Sequence, residues 1–83
     1  MNKERRKALN EQIGKLEDIK AEIESLRDEE QEYLDSMPDN LQSGEKGEVA
    51  QNAIDATETA ISDLETAIES IESAMGSIDD ASQ

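Results

Sequence analysis

The chain contains no cysteine, histidine, tryptophan or phenylalanine, and Tyr33 is its sole aromatic residue. Without cysteine no disulfide can staple the fold. Without cysteine or histidine no zinc or haem site of the usual kind can form. The same gaps argue against an enzyme. There is no thiol or imidazole for nucleophilic or acid–base work, and no glycine-rich loop ending in Lys and Ser or Thr to cradle a phosphate. A di-iron bundle needs Glu-x-x-His on two helices, which this chain cannot supply. Asp39 to Ala50 places Gly44 where a calcium loop needs glycine, but Leu41 and Ala50 stand at ligand positions. The carboxylates fall mostly at expected solvent positions, where nothing implies a raised pKa. The sequence thus predicts a non-enzymatic protein with no metal and no cofactor.

Positive charge is also scarce, with 8 basic residues against 22 acidic ones and a net charge of −14. A general nucleic-acid binder carries a basic face, and docking on an anionic membrane needs one too. No apolar run approaches the roughly 20 residues that span a bilayer. Lys3, Arg5, Arg6 and Lys7 are not followed by the apolar segment of a secretory leader. The expectation is a cytoplasmic protein with no direct nucleic-acid binding and no membrane partner.

What the chain does have is a heptad. Ala53, Ala60, Ala67, Ala74 and Ala81 recur at intervals of seven, and Ile54, Ile61, Ile68 and Met75 follow the first four. With those four as a positions, Thr57, Leu64, Ile71 and Ile78 are d positions and the alanines occupy g. This predicts a second helix over about 44–80. Residues 2–36 read as a first helix, with apolar positions Leu9, Ile13, Leu16, Ile19, Ile23, Leu26, Tyr33 and Met37. Two consecutive gaps of three break its phase near Leu16, so the buried stripe is expected to drift there. Between them lies a connector, 37–43, in which Pro38 stops the first helix. Ser43 is the expected N-cap of the second helix, and Leu41 is expected to plug the end of the bundle.

Residues 1–83 therefore read as one domain of all-α class, two long antiparallel helices forming a hairpin. Composition alone would also fit a disordered chain, and the heptads argue against it. Only 34% of residues are hydrophobic, and ordering each residue costs on the order of 1.5 kcal/mol. One hairpin of this composition buries too little, so it is expected to associate into a homo-oligomeric helical bundle. The joint g, a and d stripe is wider than a two-helix seam needs, and alanine lets a neighbouring helix approach closely.

Two surfaces are candidates for binding. From Gly47 onward there are acids but no Lys or Arg. Glu58, Glu65, Glu72 and Asp79 form a line at heptad spacing. That line could serve an acidic inhibitor or adaptor of a host protein, or mimic DNA, or it could be a solvated face flanking the core. The four early cations either neutralise Asp79 and Asp80 or serve a ligand. The second surface is the connector. The start of the second helix offers free N–H groups and the positive end of a dipole, near Ser43, Gly44 and Lys46. Tyr33 could stack on a ring or belong to the core. Asn40 and Gln42 could read polar edges. In an antiparallel pair of hairpins, Arg5 and Arg6 of one copy would approach the connector of the other. These eight residues form a candidate site for a nucleotide-like small molecule; the plain alternative is a turn.

The stretch from Arg27 to Ser43, RDEEQEYLDSMPDNLQS, with Gly44-Glu45-Lys46-Gly47-Glu48 after it and the Ala-Ile repeats around Asp55 and Glu69, resembles a family of short acidic helical proteins of phages and mobile elements. The likeness covers most of the chain after Ile13. It implies an accessory role in a phage or mobile element and supplies no established activity or site residue. Small helical oligomers of phages sequester nucleotide immune signals, and the parallel with this chain is one of architecture.

Overall fold

The computed structural model describes residues 1–81; residues 82 and 83, the end of the expected domain, lie outside the described residues. The chain is all-helical. Helix α1 spans Lys3–Asp35, a short α2 spans Asp39–Gln42, and α3 spans Glu45–Ala81. Asn2 caps α1, its side chain accepting from the Arg5 N–H at 2.8 Å. The long helices run antiparallel. Arg6 faces Asp79, Lys20 faces Glu65, and Leu34 and Met37 meet Ala50 and Ile54 at the connector end. The hairpin is a rod of 62 × 15 × 11 Å.

On α3 the heptad holds at its centre. The a residues Ile54, Ile61, Ile68 and Met75 are buried, and Thr57, Leu64 and Ile78 at d are half-buried. Ile71 at d is exposed, as are the alanines at g. On α1 the structure differs from the apolar reading. The line facing α3 is Arg6, Ile13, Lys20, Arg27 and Leu34, spaced by sevens, of which only Ile13 and Leu34 are buried. Leu9, Leu16, Ile23 and Met37 flank that line, half-buried or buried. Ile19, Leu26 and Tyr33, expected in the stripe, stand one residue before Lys20, Arg27 and Leu34 and are exposed. One residue is a step of about 100° round a helix, enough to move a side chain from the seam to its margin.

Two cations in the middle of the seam split the core. One cluster joins Leu34, Met37, Ala50 and Ile54 near the connector. The other joins Ile13, Ile68 and Met75, with Leu9, Leu16 and Leu64 against it. Between them Lys20 and Arg27 are about 70% covered along their side chains, and their charged heads reach carboxylates. Their aliphatic stems can cover apolar surface while the heads stay wet. The Lys20 Nζ is 3.0 Å from Glu65 and 3.8 Å from Glu24. Its hydrogen bond to Glu65 and the nearby carboxylates raise its pKa above the usual lysine value. The folded state thus holds the proton more tightly than the unfolded one. The pair's contribution is complete below the ordinary lysine pKa and is lost as pH rises through the raised one.

The connector is shorter and tighter than a loop. Pro38 opens α2, with Leu41 and Gln42 N–H groups donating to its carbonyl. The Gln42 side-chain amide donates to the Met37 carbonyl at 3.0 Å and to that of Asp35 at 3.3 Å, tying α2 to the end of α1. Two expectations are corrected here. The Ser43 hydroxyl turns back to donate to Asp39 O at 2.9 Å, so it serves α2 rather than the start of α3. Leu41 is 39% exposed, so within the single hairpin it is not part of the buried core.

The charge balance yields a prediction. Twenty-two acids on so thin a rod repel one another, and ionic strength screens that repulsion over about 8–10 Å at 0.1–0.15 M. The few surface ion pairs lose only about 0.2–1 kcal/mol each to the same screening. Repulsion therefore dominates. Raising NaCl from about 0.02 to about 0.5 M is expected to raise the melting temperature read by circular dichroism.

Candidate functional site

The eight candidate residues fall in separate places on one chain. Tyr33 and Lys46 line a groove of about 390 Å³ with Glu30, Glu45, Val49 and Ala50. Tyr33 is held outside the core because Leu34, the next residue, occupies the seam. The ring therefore offers a face to solvent while its base rests at the junction of α1 and α3. Lys46 begins the line continued by Ala53, Ala60 and Ala67, which places its ammonium group on the same margin of the seam as Tyr33.

Gln42, Ser43 and Gly44 line a different, more polar cleft of about 540 Å³, on the other side of the connector with Gln31, Asp35 and Gln51. Their polar groups are largely occupied. Gln42 and Ser43 make the connector bonds described above, and the Gly44 carbonyl accepts from the Glu48 N–H at 3.0 Å. Asn40 lies exposed on α2. Arg5 and Arg6 lie at the far end of the rod. Arg6 shares a cleft of about 540 Å³ with Lys3, Lys7, Asn10 and Asp79, and its Nε is 3.8 Å from the Asp79 carboxylate. Arg6 thus does what the plainer alternative assigned to the early cations.

The acidic line is only partly available. Of Glu58, Glu65, Glu72 and Asp79, Glu65 pairs with Lys20 and Asp79 with Arg6. Glu65 and Glu72 face a cleft with Glu17, Glu24 and Glu69. This acidic side is opposite the Tyr33 groove. On α3, Ala67 precedes and Glu69 follows the buried Ile68, so the two sit on opposite margins of the seam. The hairpin therefore has two faces. One carries Ile19, Leu26, Tyr33, Val49 and the alanines, with Glu30 and Glu45 at its connector end; the other carries the cluster of Glu17, Glu24, Glu65, Glu69 and Glu72.

The asymmetry of these faces escaped the sequence reading. The signal was present in α1, where Arg5, Gln12, Ile19, Leu26 and Tyr33 repeat at seven beside the line of Arg6, Ile13, Lys20, Arg27 and Leu34. Among the described residues no cluster of acids could hold a metal ion, and no helix is long and apolar enough to cross a membrane. No family model, curated protein or solved structure matches the chain.

Proposed function

We propose that this chain is a non-enzymatic, homo-oligomeric binding protein that captures a small anionic ligand carrying a planar ring, of the nucleotide kind. The observation that carries this reading is the Tyr33 groove. The chain's sole aromatic ring is excluded from the core, faces solvent, and shares a groove with a lysine. An exposed tyrosine offers a stacking surface to any base, and the adjacent ammonium suits a phosphate. Glu30 and Glu45 at the same groove can accept hydrogen bonds from exocyclic amines. They also disfavour a bare anion, so the ring matters as much as the charge. In the phage or mobile-element setting that the resemblance implies, such capture would remove a host signal and act as counter-defence.

The test is calorimetric titration with mononucleotides, linear dinucleotides and cyclic dinucleotides. At least one should bind, and Tyr33→Ala should weaken it about 10-fold or more, since stacking on one aromatic is worth about 1–3 kcal/mol per base. Tyr33 is exposed and outside both core clusters, so the loss should come without loss of helicity. Unchanged affinity in that variant would contradict the reading.

The rival is an acidic inhibitor, adaptor or DNA mimic working through the opposite face. It is favoured by the cleft in which Glu17, Glu24, Glu65, Glu69 and Glu72 surround Lys20. Neutralising Glu58, Glu65 and Glu72 to glutamine would abolish such an activity and spare nucleotide capture.

A further inference from the structure

We propose that a second copy of this chain covers the face bearing Ile19, Leu26 and Tyr33, and that the two hairpins lie antiparallel. The inference rests on the homo-oligomer reading above and adds the face and the orientation.

The face is chosen by exposure. Leu26 is 61% and Val49 63% exposed, and Ile19, Tyr33 and Ile71 are exposed beside them. All lie on the margin of the seam away from the cluster of Glu17, Glu24, Glu65, Glu69 and Glu72, with Glu30 and Glu45 near Tyr33 and Val49. Between Val49 and Ile71 the surface of α3 is levelled by Ala53, Ala60 and Ala67, which let a neighbouring helix come close. The broad side of a 62 × 15 Å rod offers on the order of 900 Å², comparable to the roughly 800 Å² per partner of a standard stable interface. The opposite side cannot serve two like copies, because it would set rows of carboxylates against each other.

The orientation is chosen by charge. The free end of the hairpin holds Lys3, Arg5, Arg6 and Lys7. Glu4, Asp79 and Asp80 share that end and leave it close to neutral, with Arg6 already paired to Asp79, whereas the connector end holds Glu29, Glu30, Glu32, Asp35, Asp39, Glu45 and Glu48 against Lys46. A parallel pair would place acidic connector on acidic connector; an antiparallel pair places the near-neutral end, with its four cations, on the acidic connector. A second copy is thus matched in charge as well as in shape. The line Arg5, Gln12, Ile19, Leu26, Tyr33 has Ile19 at its middle. An antiparallel pairing about Ile19 sets Leu26 beside the second copy's Gln12, and Tyr33 beside the second copy's Arg5. There the guanidinium meets Glu30 and Glu45 at the edge of the groove and leaves the ring to the ligand. Each Tyr33 groove would then be finished by an arginine that its own chain holds at the far end of the rod.

The absence of native cysteine makes the test clean. Asn40→Cys, exposed in the connector, is labelled with a nitroxide, and the distance between labels in the dimer is read by pulsed electron resonance. The antiparallel pair predicts a separation near the hairpin's length of 62 Å. A parallel pair places the labels within about 20 Å, two helix diameters. In parallel, Leu26→Glu should weaken self-association at least about 30-fold by sedimentation equilibrium, the scale of a hot-spot loss. Ala21→Gln, on the acidic side, should leave it unchanged. A long distance with dissociation by Leu26→Glu supports the proposal. A short distance in an intact dimer overturns the orientation, and an intact Leu26→Glu dimer overturns the face; either leaves the homo-oligomer reading standing. A wild-type monomer overturns both.

Discussion

Gly47→Ala is expected to lower the melting temperature, whereas Gly14→Ala and Gly76→Ala raise it. All three glycines lie inside long helices, where alanine is favoured by about 0.5–1 kcal/mol. A Cβ at Gly14 or Gly76 meets nothing within 4 Å, so each substitution keeps that gain. For a domain of this size a gain of about 1 kcal/mol raises the midpoint by about 4–8 °C. At Gly47 the Cβ would run into the backbone carbonyl of Gln42 and lie 2.7 Å from its Cα. The obstacle is the main chain of α2, which cannot swing aside like a side chain. Relief requires lifting α2 off α3 and breaking the Gln42 bonds to Met37 and Asp35. Overpacking of this kind costs about 1–3 kcal/mol and occasionally more, enough to reverse the propensity gain. Thermal melts of the three variants at one protein concentration read the opposite signs directly.

Ile54→Ala is expected to be the most damaging of the single truncations along the a line. Ile54 is 1% exposed and sits in the cluster of Leu34, Met37 and Ala50 that closes the connector end. Removing a buried isoleucine side chain to alanine costs about 2–5 kcal/mol, the upper values arising where neighbours cannot collapse into the space. Here one wall is the end of α1, held by Gln42, and another is the Ala50 backbone, so collapse is limited. Ile61→Ala should cost less. Ile61 is buried but belongs to neither cluster, in the stretch of the seam between them where Lys20 and Arg27 take core positions on α1, and their flexible stems can follow a retreating surface. Urea titrations would rank the two; an equal or reversed order would mean that the connector end is not the tighter half of the core.

The helical hairpin could be read from the sequence because its signals are local and repeated. The a line from Ile54 to Met75 needs only period counting, and Pro38 marks the break. Three features were not legible by that route. The seam of α1 runs through Lys20 and Arg27, and a reading that follows apolar residues steps onto Ile19, Leu26 and Tyr33, one position away. Only the opposite helix decides which of two adjacent lines is covered, and Glu65, placed to receive Lys20, supplies that decision. The packing of α2 on α3 depends on the close approach of Gln42 to Gly47, a contact between segments, and the Ser43 hydroxyl takes a local bond to Asp39 O in place of the cap. The candidate site was legible as residue types but not as a place. Tyr33 and Lys46 come together, while Gln42, Ser43 and Gly44 close the other side of the connector and Arg5 and Arg6 stay at the far end.

The same geometry is what supports the proposed association of hairpins. Its two small clusters are separated by cations, and one whole face leaves leucine, isoleucine, valine and tyrosine in water. The measurement to make first is native mass spectrometry of the protein purified directly from cells, beside a denatured run. An even multiple of the 9.2 kDa chain, with a reproducible small-molecule mass lost on denaturation, is the expected result. A bare 9.2 kDa monomer that remains fully helical would contradict both the association and the capture built on it.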